Sequence, residues 1–246
     1  MKAVINGFVG LSGLIFSCGL FAASAYRVDF QGARYDVYSV NPSERKLRFV
    51  WKDTNGRNYS NFGNIKSYLA GKKNRLVFAT NGGIFTSNHA PLGLYIENRI
   101  ELQTLNIGNG RGNFYLKPNG IFYVTETKFG IVNTIQYNQV AAQTVLYATQ
   151  SGPLLLINGR TNPNFKKYSR NFYIRSGVGI DQSGNAIFAI SNTAINFYTF
   201  SLLFKEKLQC VNALYLDGAI SKMYLPQIGR NELGGDFAVI IVGVED

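Results

Sequence analysis

The chain has 246 residues, 46% hydrophobic and 14% aromatic, which is enough apolar material for a sizeable core and excludes a disordered chain. Its formal charge of +11 reflects 14 acids set against 25 bases. That balance favours anionic partners in general, but no dense Lys/Arg run or Arg–aromatic stripe supports a nucleic-acid binder.

The N-terminus reads as a targeting segment. After Lys2 an apolar stretch spans 3–23 and runs into Ala23-Ser24-Ala25, the small-x-small pattern that precedes signal cleavage. A cut before Tyr26 assigns 1–25 to a signal peptide and 26–246 to a single domain. Interrupting glycines and the small-residue exit favour cleavage over an anchor, and Ile15-Phe16-Ser17 ahead of Cys18 is a poor lipidation box. No later segment has spanning length, so the expectation is a periplasmic or secreted protein with no stable membrane insertion after signal cleavage. Cleavage leaves Cys210 as the one cysteine, expected to be a buried small hydrophobe.

Residues 27–30, 34–40 and 46–52 read as three half-buried antiparallel strands, because polar and apolar residues largely alternate. Residues 61–73 read as a helix. Short strands are predicted at 76–80, 93–97, 113–117, 121–125, 144–149, 154–157, 173–180, 186–191, 213–216 and 237–242. A second helix is predicted over 196–208, capped by Asn196, with Phe200, Leu203, Phe204 and Leu208 on one face. These elements predict an α+β fold: a single β-rich domain of mixed sheet with a few packed helices.

Several constellations are excluded. His89 is the only histidine and no nucleophile elbow accompanies it, and the mature chain lacks the His and Cys needed for a zinc site. Gly108 to Gly112 lacks the strand and helix context of a dinucleotide loop and reads as a turn. What remains lies at predicted strand ends. Asn81-Gly82-Gly83 is a tight turn, or a loop whose bare amides approach an anionic oxygen. Arg175 is an edge residue, or a planar fork for phosphate. Gln150-Ser151-Gly152-Pro153 leads into a strand. Asp217, in Leu216-Asp217-Gly218, either caps its own turn or places a carboxylate at the mouth of a sheet. The two strand ends at Asn81 and Asp217 are expected to form one pocket.

The ordered blocks Asn81-Gly82-Gly83-Ile84-Phe85, Pro91-Leu92-Gly93-Leu94, Ser151-Gly152-Pro153, Arg175-Ser176-Gly177-Val178-Gly179 and 212–221 resemble the phosphodiester glycosidase family across about 76–242. The resemblance implies hydrolysis of a sugar-1-phosphodiester to a free sugar and a phosphomonoester. Carried onto matching positions, it implies Asp217, Arg175 and Asn81 as catalytic groups. Gly82, Gly83, Phe85, Gly93, Ser151, Gly152, Ser176, Gly218 and Ser221 become substrate-binding residues. The family's usual Leu-Asp-Gly-Gly-Gly-Ser ending is here Leu216-Asp217-Gly218-Ala219-Ile220-Ser221, so this turn is less permissive. The implied partner is a phosphorylated glycan or sugar phosphodiester. No cofactor is assigned, and Asp217 with amide and carbonyl oxygens is an alternative site for calcium or another hard cation. A second carboxylate is expected, with Glu97, Glu101, Asp181 and Asp236 as candidates. The alternative reading is a non-catalytic binding protein for anionic envelope glycans.

Overall fold

The computed structural model describes residues 23–44, 46–140, 144–217 and 220–245. The expected signal segment up to residue 22, Cys18, Gly218 and Ala219 lie outside the described residues.

Three sheets are formed. A seven-stranded sheet runs in the order Ser24–Phe30, Ala33–Val40, Ala186–Ser191, Ser176–Asp181, Cys210–Tyr215, Leu154–Ile157 and Arg160–Thr161. A five-stranded sheet runs Arg230–Asn231, Met223–Leu225, Arg75–Asn81, Ile240–Glu245 and Leu47–Val50. Another five-stranded sheet runs Ile100–Gln103, Tyr95–Glu97, Val145–Ser151, Gly120–Thr125 and Phe129–Asn133. The fold is the expected α+β domain rich in strands. The expectation of a mixed sheet is corrected, however: every pairing among the described strands is antiparallel.

The inner faces of the sheets share one core. Tyr38 stacks on Phe78 at 4.2 Å, Phe78 lies 4.9 Å from Phe188, and Phe122 meets Phe188 edge-on at 5.7 Å, so one aromatic chain crosses all three sheets. A second core packs the outer face of the seven-stranded sheet under the helix Phe197–Leu202. A third lies beneath the helix Phe62–Gly71, which buries Phe62, Ile65 and Leu69. These outer cores correct the half-buried reading of the strand Ala33–Val40. Tyr35 and Val37 face the helix side while Tyr38 and Val40 face the centre, and both faces are buried. Asp36 is buried within it because Arg27 and Arg230 bond its two oxygens at 3.0 and 2.8 Å.

Both predicted helices form, and an asparagine caps each: Asn196 as the sequence suggests, and Asn61 ahead of the first helix. Asn61 Oδ1 accepts from Asn64 N, and Asn196 Oδ1 from Thr199 N, each at 2.9 Å. The second helix widens after Leu202 into a π turn over Leu203–Lys207, in which Leu208 N donates to Leu203 O, five residues back, at 3.0 Å. The predicted strand at 113–117 is instead a 3-10 turn at Asn113–Tyr115 that buries Phe114, entered through Gly112 at a φ of 92°. Cys210 is free and buried, as expected, and burial pushes its thiol pKa up. Ser24 and Ala25 pair with Ser39 and Tyr38, so a chain beginning at Tyr26 lacks the first two pairs of this edge strand.

Candidate functional site

Strand ends converge where the sequence places its motifs. The strand Arg75–Asn81 ends beside the start of Ser176–Asp181, and the segment after Tyr215 passes between them. The Ser176 hydroxyl lies 3.1 Å from Asn81 Oδ1, 3.2 Å from the Asp217 carbonyl oxygen and 3.1 Å from Ser221 Oγ. Ser221 closes the turn from both sides: its Oγ accepts from Ser176 N at 3.0 Å and donates to the Asp217 carbonyl. Lys222 N donates to Asn81 Oδ1 at 3.1 Å, and Ser151 Oγ donates to the Leu216 carbonyl. Asn81, Ser151, Ser176, Asp217 and Ser221 therefore form one bonded cluster.

Arg175 lies on the opposite side of the strand from Ser176, with 0% exposure. Its Nε donates to Ile195 O at 2.8 Å, and its Nη2 lies 2.9 Å from Asn171 O and 2.6 Å from Asn171 Oδ1. The guanidinium carbon sits 3.7 Å from the Phe197 ring centroid and 5.4 Å from that of Tyr215. It enters none of the ion pairs among the described residues, and Nη1 is buried with no hydrogen-bond partner. Burial lowers the Arg175 pKa and raises that of Tyr215. Tyr215 Oη and Asn81 Nδ2 are likewise buried without a well-formed hydrogen bond, although Tyr215 Oη is close enough to the Arg175 guanidinium to interact with it.

A cavity of about 220 Å³ lies beside the residues that hold Arg175, without Arg175 itself in its wall. Asn171 and Phe197, which hold the guanidinium, line one side of it, and Asn113, Lys117 and Lys166 line others. Asn113 O lies 3.4 Å from where a Cβ on Gly152 would stand, so one wall of the cavity packs against the Gly152 turn. Asn196 secures its rim through Nδ2, which donates to the carbonyls of Lys167 and Ser169 at 3.0 and 3.2 Å.

The glycine motifs depart from expectation. Gly82 N donates to Val239 O at 2.8 Å and Gly83 N to Thr149 Oγ1 at 3.2 Å, so these amides are engaged within the protein and do not form the expected anion cradle. Close packing explains the residues instead: a Cβ on Gly83 would lie 2.3 Å from Gln150 O, and one on Gly93 would lie 2.2 Å from Gln150 Oε1. Phe85 stacks on His89 at 5.4 Å, and His89 Nε2 lies 2.7 Å from Asp236 Oδ1 on another loop. Gly218 falls outside the described residues. Sequence reasoning did not find Asn171, Phe197 or Tyr215. Only the four-residue step from Asn171 to Arg175 is local enough to have suggested a contact.

None of the four candidate second carboxylates joins the cluster around Ser176. Asp181 caps its own hairpin through Ser183 N and Asn185 N, at the far end of the six-residue strand from Ser176, whose length puts it roughly 16 Å away. Glu101 is exposed, and Asp236 pairs with His89. Glu97 lines a separate cavity of about 290 Å³ with Arg48, Tyr59 and Tyr147. Among the described residues no cluster of three or more His, Cys, Asp or Glu is placed to hold a metal.

Burial raises the Glu97 carboxyl above its ordinary 4.5, outweighing the 2.6 Å hydrogen bond from Tyr95 Oη. The folded chain therefore holds a proton that the unfolded chain has lost. Stability is full below 4.5, falls as pH rises through the folded pKa, and is level above it. Glu97→Gln is expected to flatten this slope, gaining on the parent at neutral pH relative to pH near 4. Urea midpoints at the two pH values test this, and parallel shifts would contradict it.

Residues 74–239 match the family model described as phosphodiester glycosidase. The chain is 40% identical over 191 residues to the uncharacterized protein YigE of Escherichia coli (strain K12), covering 77% of this chain and 73% of that one. It also resembles the catalytic domain of zebrafish N-acetylglucosamine-1-phosphodiester alpha-N-acetylglucosaminidase, in a structure auto-inhibited by its pro-peptide. That match has a TM-score of 0.60 and 14% identity, and covers 91% of this chain and 82% of that one. A hypothetical protein from Synechocystis matches with a TM-score of 0.52 and 16% identity, covering 90% of this chain and 61% of that one. The two structural likenesses concern the fold.

Proposed function

Because the chain belongs to the phosphodiester glycosidase family, we propose that it is an exported hydrolase cleaving the sugar–phosphate bond of a sugar-1-phosphodiester. The observation that carries this reading furthest is Arg175: a buried guanidinium outside every described ion pair, whose Nη1 has no well-formed hydrogen bond and whose supports Asn171 and Phe197 line a cavity. A phosphodiester supplies the missing negative charge, and a planar fork suits its oxygens.

In this mechanism water attacks the anomeric carbon while the bond from that carbon to the phosphate oxygen breaks. The bonding pair leaves with the phosphate, whose growing charge Arg175 stabilises, with Asn81 Nδ2 as a further donor. Asp217 takes the proton from water and stabilises the positive charge on the sugar as the bond opens. Ser176 and Ser221 position Asp217 through its main-chain carbonyl. Phosphate is a good leaving group, so a single carboxylate suits this chemistry better than it would an ordinary glycoside.

The lack of a second carboxylate in the cluster favours a second reading, a non-catalytic binder of anionic envelope glycans. Incubation with methyl N-acetylglucosamine-1-phosphate and with UDP-N-acetylglucosamine, followed by NMR, separates the two. Free sugar is the expected product, whereas retention of both ligands without release supports the binder.

A further inference from the structure

The rim of the cavity beside Arg175 is apolar and basic at once. Tyr168 is 86% exposed and is followed by exposed Phe172 and Tyr173 on the loop that carries Asn171. Ile135 is 83% and Ile107 70% exposed, and both line a depression that shares Lys117 and Asn164 with the cavity. Asn164 Nδ2 donates to Lys117 O at 2.9 Å, tying the two depressions into one face. Leu116, also exposed, lies on the same wall.

The charge on this face has one sign. The sequence carries no Asp or Glu between Glu126 and Asp181, nor between Glu101 and Glu126, and Arg99 pairs with Glu126. Lys166, Lys167 and Arg170 are exposed and belong to no ion pair among the described residues. The exposed rings of Tyr168, Phe172 and Tyr173 suit a sugar face as well as a lipid one, but exposed Ile107 and Ile135 offer no face on which a sugar can stack. Projecting aliphatic and aromatic side chains among unpaired bases match the interface of an anionic bilayer, where rings sit at headgroup depth and bases meet lipid phosphates.

We propose that this face docks on an anionic phospholipid surface, with Ile107, Ile135, Tyr168 and Phe172 entering the headgroup region. It does so without a spanning segment, since no described helix is long and apolar enough to cross a membrane. The proposal does not depend on hydrolysis. If both readings hold, the cavity beside Arg175 opens at the membrane.

The test uses the chain from Ala23 onward, which carries all three sheets and lacks the apolar leader. It is sedimented with vesicles of phosphatidylglycerol in phosphatidylcholine and with vesicles of phosphatidylcholine alone. Binding to the anionic vesicles is expected. It should fall roughly a hundred-fold in Lys166→Gln/Lys167→Gln/Arg170→Gln and about ten-fold in Ile107→Ser/Ile135→Ser, with thermal unfolding unchanged. Equal binding to both vesicle types, or no binding to either, would overturn the proposal. So would an isoleucine double variant that binds like the parent, because the face would then be only a polyanion site.

Discussion

Asp217→Asn is expected to reduce release of free sugar by roughly 10²- to 10⁴-fold while leaving the unfolding transition where it is in the parent. Asp217 is 7% exposed, and asparagine keeps its shape while losing its basicity. The main-chain contacts of Asp217 survive the change: its carbonyl oxygen accepts from Ser221 and lies 3.2 Å from Ser176 Oγ. Initial rates on methyl N-acetylglucosamine-1-phosphate, read beside near-ultraviolet circular dichroism, separate chemistry from folding. A variant that hydrolyses as fast as the parent removes Asp217 from the proposed mechanism.

The sequence made some of this site legible, for identifiable reasons. Turn chemistry is local, so Asn-Gly-Gly and Leu-Asp-Gly marked two strand ends, and the structure joins those ends through Ser176 and Ser221. The cap at Asn196 is legible because its side chain acts only three residues ahead, on Thr199 N. What a glycine does was not readable. The same Gly82-Gly83 pair suits an anion cradle or close packing, and only the approach of Val239 and Gln150 decides for packing. Nor could period-two alternation tell a solvated face from one covered by a helix, so the strand Ala33–Val40 was read as half-buried although Phe200 and Phe204 cover its outer side. The setting of Arg175 was hidden for the same reason. Its ring platform, Phe197, lies on a later helix, and nothing local to Arg175 specifies that contact.

Arg175 carries the other large expected effect, and two substitutions separate its structural role from its proposed chemical one. Arg175→Ala leaves the Asn171 carbonyl without its donor, takes one of two donors from Ile195 O, which keeps Tyr173 N at 3.1 Å, and opens space against Phe197, at an expected cost of roughly 3 kcal/mol in unfolding free energy. Such a loss alone would fit a purely structural arginine. Arg175→Lys retains a charge, but its single ammonium cannot bond Ile195 O, reach Asn171 and present a free nitrogen to a ligand at the same time. The lysine variant is therefore expected to lose activity about 10²-fold or more while losing less stability than the alanine variant. Inorganic phosphate provides a readout independent of turnover. If the unpaired Nη1 awaits an anion, phosphate should raise the Tm of the parent, by about 2.7 kcal/mol of stabilisation at a hundred times its Kd, and should raise that of the lysine variant far less. An equal phosphate effect on both proteins would assign Arg175 to the scaffold. The anion would then have to be held elsewhere on the cavity wall, where Lys117 and Lys166 are the cations in reach.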